Sequence, residues 1–169
     1  MPNWCECELR IYGDEKIIKE FKEFGQNGDE VLDTNKFIPY PERFRVKDEL
    51  AFKWEEDNTD GDRGERPTDG FNSGGYDWCL KHWGTKWGIC HSSILDKDFF
   101  CDDSMLAYSF DCAWSPCIPV VLRMSAMFPD LTFRLTYFEC GAGFNGLYEC
   151  KNGKVLTDEV GNYFGERGG

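Results

Sequence analysis

Alternation with a period of two recurs along this chain, and twice it is followed by a helical repeat; that succession decides the fold class. Cys5, Cys7, Leu9 and Ile11 fall on one face of an extended segment, with Glu6, Glu8 and Arg10 on the other, the pattern of a half-buried strand. Gly13 breaks the segment, and Asp14 is placed to cap a helix by accepting the free N–H groups of its first turn. Ile17, Ile18, Phe21 and Phe24 then repeat at helical spacing until Gly25. Val31 to Phe37 reads as a returning strand, ended by Pro39 and Pro41, which remove ladder donors. A second unit follows. Leu106, Tyr108, Phe110 and Cys112 alternate with polar or small residues. Ser115 is placed as an N-cap with Pro116 at the first helical position, and Ile118, Val121, Leu122, Ser125 and Phe128 form a stripe. Pro129 ends the helix, and Leu131, Phe133, Leu135 and Tyr137 alternate again. Leu147 to Lys151 and Lys154 to Thr157 flank Asn152-Gly153, a strong hairpin signal.

Two strand–helix–strand units predict an α+β fold of the ferredoxin-like, split βαβ kind, an antiparallel sheet with two main helices on one face. The hairpin is added at the C-terminus. Between the halves lies an insertion of about residues 54–75, in which Glu55, Glu56, Asp57, Asp60, Asp62, Glu65 and Asp69 are interspersed with Gly, Asn, Ser and Pro, the composition of a solvated loop. Tyr76 to His82 fits either a short helix or a bent strand. At 169 residues the expectation is one domain over 1–169.

With 41% hydrophobic and 16% aromatic residues the chain is too apolar to be disordered. No apolar run approaches the roughly 18 residues of a membrane span, and no basic flank precedes an apolar stretch as in a signal peptide. Met1-Pro2-Asn3-Trp4 reads as a complete cytosolic N-terminus, so a cytoplasmic protein is expected. The formal net charge of -12 is the wrong sign for binding a phosphate backbone, which needs Lys and Arg to displace counterions; a basic protein surface is the partner of matching sign. Nine cysteines, an odd number, argue against a disulfide framework and read as small buried apolar groups.

No catalytic constellation emerges, and no cofactor or metal is expected. Cys5 and Cys7 share a strand face and, with Cys90-His91 or Cys79 and His82, offer metal ligands, but without the paired C-x₂-C knuckles of a zinc site. The same Cys–His neighbours are the sole candidates for a nucleophile and base. Asp111 and Glu139, on the strands flanking the second helix, are a conceivable acid–base pair, though an ion pair with Arg134 or exposure accounts for them as well. Gly141 to Gly146 lacks the lysine of a phosphate-binding loop. The aromatic set is more suggestive: Trp78, Trp83 and Trp87 surround a Gly84-Thr85-Lys86 turn. Indoles recur at interfaces and in stacking pockets, and Lys86 between two of them can hold a phosphate or a carboxylate; a plug sealing a loop over the sheet is the plainer reading.

Motifs spread along the chain carry a resemblance. Met1-Pro2-Asn3-Trp4-Cys5, Phe37-Ile38-Pro39-Tyr40-Pro41, Trp83-Gly84-Thr85-Lys86-Trp87, Ala113-Trp114-Ser115-Pro116, Phe128-Pro129-Asp130-Leu131 and Tyr137-Phe138-Glu139 together resemble the YubB-type ferredoxin-like family of phages, prophages and conjugative plasmids. Glu6, Gly88 and Cys117 depart from its pattern. The resemblance implies a ferredoxin-like fold and a mobile-element setting, without an activity or catalytic residues. It leads to the expectation of a phage or plasmid protein that inhibits a host protein, a nucleic-acid-binding defence factor, through the acidic residues between Glu55 and Asp69. The alternative is a sponge for a nucleotide signal, held by Trp78, Trp83, Lys86 and Trp87.

Overall fold

The computed structural model describes residues 3–58, 64–95 and 104–162. Its centre is β1 (Trp4–Tyr12), hydrogen-bonded along its length to β3 (Met105–Ala113) on one side and β4 (Thr132–Glu139) on the other, both antiparallel. The alternation read from the sequence is the cause: Cys5, Cys7, Leu9 and Ile11 are buried on one face, and a slip of one residue would put all four in water. With β2 (Cys90–Ile94), β5 (Phe144–Lys151) and β6 (Lys154–Asn162), the sheet runs β2-β3-β1-β4-β5-β6. The first four strands stand in ferredoxin-like order, and this is a mixed α+β fold with one open antiparallel sheet. The β5–β6 hairpin turns at Asn152 and Gly153, whose φ values of 51° and 66° are both positive, as a two-residue turn matched to strand twist requires.

Helix α1 (Glu15–Gly25) starts where expected, the Asp14 carboxylate accepting from the Lys16 N–H at 2.9 Å. It shares one core and one sheet face with α4 (Ile118–Met127), through Ile18 and Phe21 from α1 and Val120, Val121 and Met124 from α4. The second helix begins later than the Ser115-Pro116 pair suggests. Cys117 stands at the cap, and Pro119 fits the first turn, where no N–H is missed. Ser115 instead donates its hydroxyl to the Gly84 carbonyl at 2.6 Å.

Two expectations fail. Val31 to Phe37 is not a strand: its backbone makes a short 3₁₀ turn, Thr34–Lys36, capped by Asp33. The strand that completes the first unit is β2, so the insertion runs from residue 26 to 89 and lies inside the first unit instead of between the halves. Nor is 54–75 a loop throughout. Trp54 to Asp57 are the last turn of α2 (Glu42–Asp57), and an irregular helical turn at Phe71–Gly75 leads into α3 (Tyr76–His82). Short-range polarity resembles a loop, but burial of Phe44 and Ala51 on one side of α2 holds the helix in place despite its polar ends.

Phe21 is fully buried and meets the rings of Phe37, Tyr108, Phe128 and Phe133 at centroid distances of 5.1–6.4 Å. It joins α1, the insertion, the sheet and the end of α4. Replacing Phe21 by Ala should cost about 3–5 kcal/mol, read as a fall in the urea midpoint; a loss below about 1 kcal/mol would mean this cluster does not tie the elements together.

Candidate functional site

The insertion folds back on the core through Trp83. Its ring is buried, and its indole N–H donates to the Ile38 carbonyl at 2.8 Å, 45 residues earlier in the chain. Tyr40 packs on it with ring centroids 5.7 Å apart, and Trp78 meets both rings edge-on. Beside this aromatic wall a cleft of about 590 Å³ opens, lined by Tyr40, Phe71, Cys79, Trp83 and Trp87 and by the polar residues Asn27, Asp33, Asn35, Glu42, Arg45 and Asp48. Apolar walls with a few converging polar groups are what a binding site presents.

Each polar group is placed by local structure. Asp33 accepts from the Asn35 N–H and side chain on one oxygen, at 2.8 and 3.0 Å, and from Asn27 on the other at 2.8 Å. Glu42 and Arg45 pair one turn apart at the start of α2, and Arg45 also reaches Glu49 at 3.5 Å. Asp48 accepts the Phe71 N–H at 2.8 Å, which ties α2 to the irregular turn. The Tyr40 hydroxyl is buried and makes no well-formed hydrogen bond among the described residues, although Asp48 stands near enough to act on it as an acceptor. Burial first, and then the charge of Asp48, hold its phenol well above the usual range, and the same two causes push the Cys79 thiol up to about 11. Both groups are therefore neutral at physiological pH. Gly75 makes room for Tyr40: a Cβ there would stand 2.1 Å from the hydroxyl oxygen.

The residues picked from sequence meet this cleft only in part. Trp83 and Trp87 line it, and Trp78 supports its wall. Lys86 does not sit between two indoles; its ammonium lies 4.8 Å from the Trp87 ring centre. The edge of Trp87 meets Trp4, and Trp4 meets His91. The acidic set does not form one free surface. Glu55 is held by Arg66 at 2.6 Å. Asp69 is buried, accepts from Asn72, and takes the other side of Arg66 at 3.0 Å. Glu56, Asp57 and Glu65 are exposed, while Asp60 and Asp62 lie outside the described residues. Arg66 is the reason for the regrouping: three carboxylates at a helix C-terminus, Glu55, Glu56 and Asp57, oppose the helix dipole, and a guanidinium bridging two carboxylates offsets it.

The other candidates separate. Cys5 and Cys7 face the core, His91 is exposed and pairs with Asp111 at 2.9 Å, and His82 stacks on Trp78. Among the described residues no group of three or more His, Cys, Asp or Glu side chains could hold a metal ion. Asp111 stands opposite Glu6 and Glu139 opposite Cys5, so the two carboxylates project from opposite faces of the sheet and do not share a substrate atom. Glu139 pairs with neither Arg134 nor solvent: it is buried and accepts the N–H groups of Gly141 and Ala142. Tyr40 and Asp48 were not read as site residues from the sequence; the Pro39-Tyr40-Pro41 motif was the available signal for the first, and Asp48 had none.

Asp69 gives a pH-dependent handle on the turn that places Phe71. Its carboxyl lies below the ordinary range, because it accepts from the Asn72 N–H and pairs with Arg66. Its contribution is thus present above the unfolded pKa of about 4 and lost as pH falls through the lower folded value. Asp69→Ala should cost about 1 kcal/mol at neutral pH, and the gap to the parent protein should narrow by pH 3 in urea titrations. An equal gap at both pH values would remove the charge from the explanation.

No helix among the described residues is long and apolar enough to cross a membrane. The comparison with curated proteins found no match. A solved structure, the crystal structure of a protein api92 from Yersinia pseudotuberculosis, is similar over 98% of this chain and 99% of that one, with a TM-score of 0.59 and 10% identity, a likeness of fold. Residues 91–166 match the family model described as the ferredoxin-like domain in Api92-like protein, so from β2 through β6 the chain carries a ferredoxin-like domain similar to that of Api92-like protein.

Proposed function

We propose that this protein is a binding module that receives a basic segment of a protein partner in the cleft beside Trp83. One observation carries the reading: aromatic walls from Tyr40, Phe71, Trp83 and Trp87 stand next to the carboxylates of Asp33, Glu42 and Asp48, with Arg45 as the one cationic lining residue among the described residues. A long basic side chain has the complementary make-up, an apolar stem and a charged head, and its cation gains from ring faces as well as from carboxylates. The net charge of -12 supports the same sign at longer range, since it draws basic surfaces in and raises their encounter rate.

The biological setting of the proposal comes from the resemblance of the sequence motifs to YubB-type proteins. In that setting the module is a phage or plasmid product acting in the cytoplasm of a host cell, and the partner is a basic host protein of the nucleic-acid-binding, defence class. The cleft, rather than the acidic stretch between Glu55 and Asp69, is the contact surface, because Glu55 and Asp69 are already held by Arg66. The nucleotide-sponge reading is less well supported: the carboxylates of the cleft repel phosphate, and Lys86 lies over Trp87 instead of between two stacking platforms.

Affinity capture from host lysate with the parent protein and with Asp48→Lys tests the proposal. The expected result is a set of basic proteins recovered by the parent and lost by the variant, with association slowing at higher salt. Recovery of the same proteins by both would take the cleft out of the reading. Retention of bare DNA at moderate salt would reverse the sign of the partner.

A further inference from the structure

We infer that the inner end of the cleft, where Tyr40, Asp48 and Trp83 meet, is a subsite for a guanidinium group, so that the partner's anchoring residue is arginine and not lysine. This rests on the proposed function and narrows it to one side chain.

Elimination among the carboxylates points to Asp48. Asp33 has both oxygens engaged by Asn27 and Asn35. Glu42 accepts two Arg45 nitrogens on one oxygen, and its side chain, 67% exposed, keeps its other oxygen in water. Asp48 uses one oxygen for the Phe71 N–H and keeps the acceptor capacity of the other. Next to it is the Tyr40 hydroxyl, buried and short of a well-formed hydrogen bond among the described residues, with Asp48 acting on it both as a charge and as an acceptor, a state that proteins rarely leave unrelieved. The protonated hydroxyl still accepts through its lone pairs. The inner end therefore offers two acceptors, one charged and one neutral, beside the faces of Tyr40 and Trp83, whose planes are inclined by 39°.

A guanidinium answers both features at once. It is flat, so it lies on an aromatic face, and its in-plane N–H groups can reach two acceptors together. It is also weakly hydrated and loses less than an ammonium on entering a half-apolar site. An ammonium is a compact, strongly hydrated point charge, and it satisfies Asp48 without using the ring faces to the same degree. Elsewhere in the insertion the chain already shows the chemistry in miniature. Arg66 donates through Nε to Glu55 and through Nη1 to Asp69, and Asp69 caps the turn that places Phe71.

The test uses two acetylated, amidated peptides of identical length, alternating glycine with either arginine or lysine, titrated calorimetrically into the full chain at physiological salt. The parent protein should bind the arginine peptide about tenfold more tightly, a difference of about 1.4 kcal/mol. Tyr40→Phe keeps the ring and removes the acceptor. Asp48→Asn keeps an oxygen for the Phe71 N–H and removes the charge. Each should bring the two peptides to within about twofold of one another, with thermal melts confirming that the variants fold. Equal binding of the two peptides to the parent protein overturns the arginine subsite and leaves the basic-partner reading standing. Full discrimination surviving in both variants overturns the assignment to Tyr40 and Asp48. Binding of neither peptide overturns the basic-partner reading together with the subsite.

Discussion

The indole of Trp83, donating to the Ile38 carbonyl, is the contact on which the particular shape of this protein depends. The sheet and its two helices form a self-consistent layer pair, whose core is built from β1, β3, β4, α1 and α4. A crossover of residues 26–89 between α1 and β2 is far longer than such a pair needs. Left unattached, a segment of that length would close at a small entropic cost and stay mobile. Trp83 prevents this by tying the latter part of the segment to Ile38 in its first part. The bond is made by a buried donor that has an apolar body to bury with it. Once the two parts are held together, Tyr40 must pack between Trp83 and Phe44, and α2 is carried into place over the turn at Phe71.

The negative charge of the chain acquires a different meaning once the side chains are placed. Counted along the sequence, acidic residues crowd the stretch from Glu55 to Asp69, and a free acidic surface is the natural inference. In space, the fold consumes part of that charge. Asp69 becomes a turn cap, Glu55 becomes one arm of a bridge to Arg66, and Glu139, elsewhere, closes the β4–β5 turn from inside the core. Carboxylates that accept backbone N–H groups are structural partners first. What distinguishes Asp48 is that it does both things: it fastens the Phe71 turn and still faces a cavity.

The sheet was legible in the sequence because its information is local. Cys5 to Ile11, Leu106 to Cys112 and Leu131 to Tyr137 alternate without interruption, and Asn152-Gly153 admits one kind of turn. The insertion was not legible, for two physical reasons. Val31 to Phe37 is apolar enough to be a strand, yet Asp33 caps a 3₁₀ turn there and Leu32 and Phe37 are buried against the α1 side of the core; nothing in the segment itself says that its ladder partners are absent. Glu42 to Asp57 hides its helix because only Phe44 and Ala51 of that stretch are buried, too few for a stripe to stand out from the polar background. The site inherits that difficulty. Trp83 and Trp87 could be picked by residue type alone, whereas Tyr40 and Asp48 acquire meaning only when residues 26–89 fold back.

Recognition through the insertion also follows from the state of the rest of the surface. The sheet face turned away from the helices carries charges that meet one another: Glu8 pairs with Arg10, and Asp111 with His91. Phe138 and Ala107 are buried even on that side. His91 takes a left-handed φ of 51° while resting against Trp4, a conformation that costs energy for a residue with a Cβ and is held there by the ring contact and by Asp111. These groups are mutually satisfied, so they have little to offer an incoming ligand. The cleft differs in kind, for it combines a buried hydroxyl short of a well-formed hydrogen bond, a carboxylate that faces the cavity and aromatic walls. A scaffold settles such differences in its connections more readily than in its strands. A chain with the same six strands and another crossover between α1 and β2 would therefore keep this fold and lose this specificity.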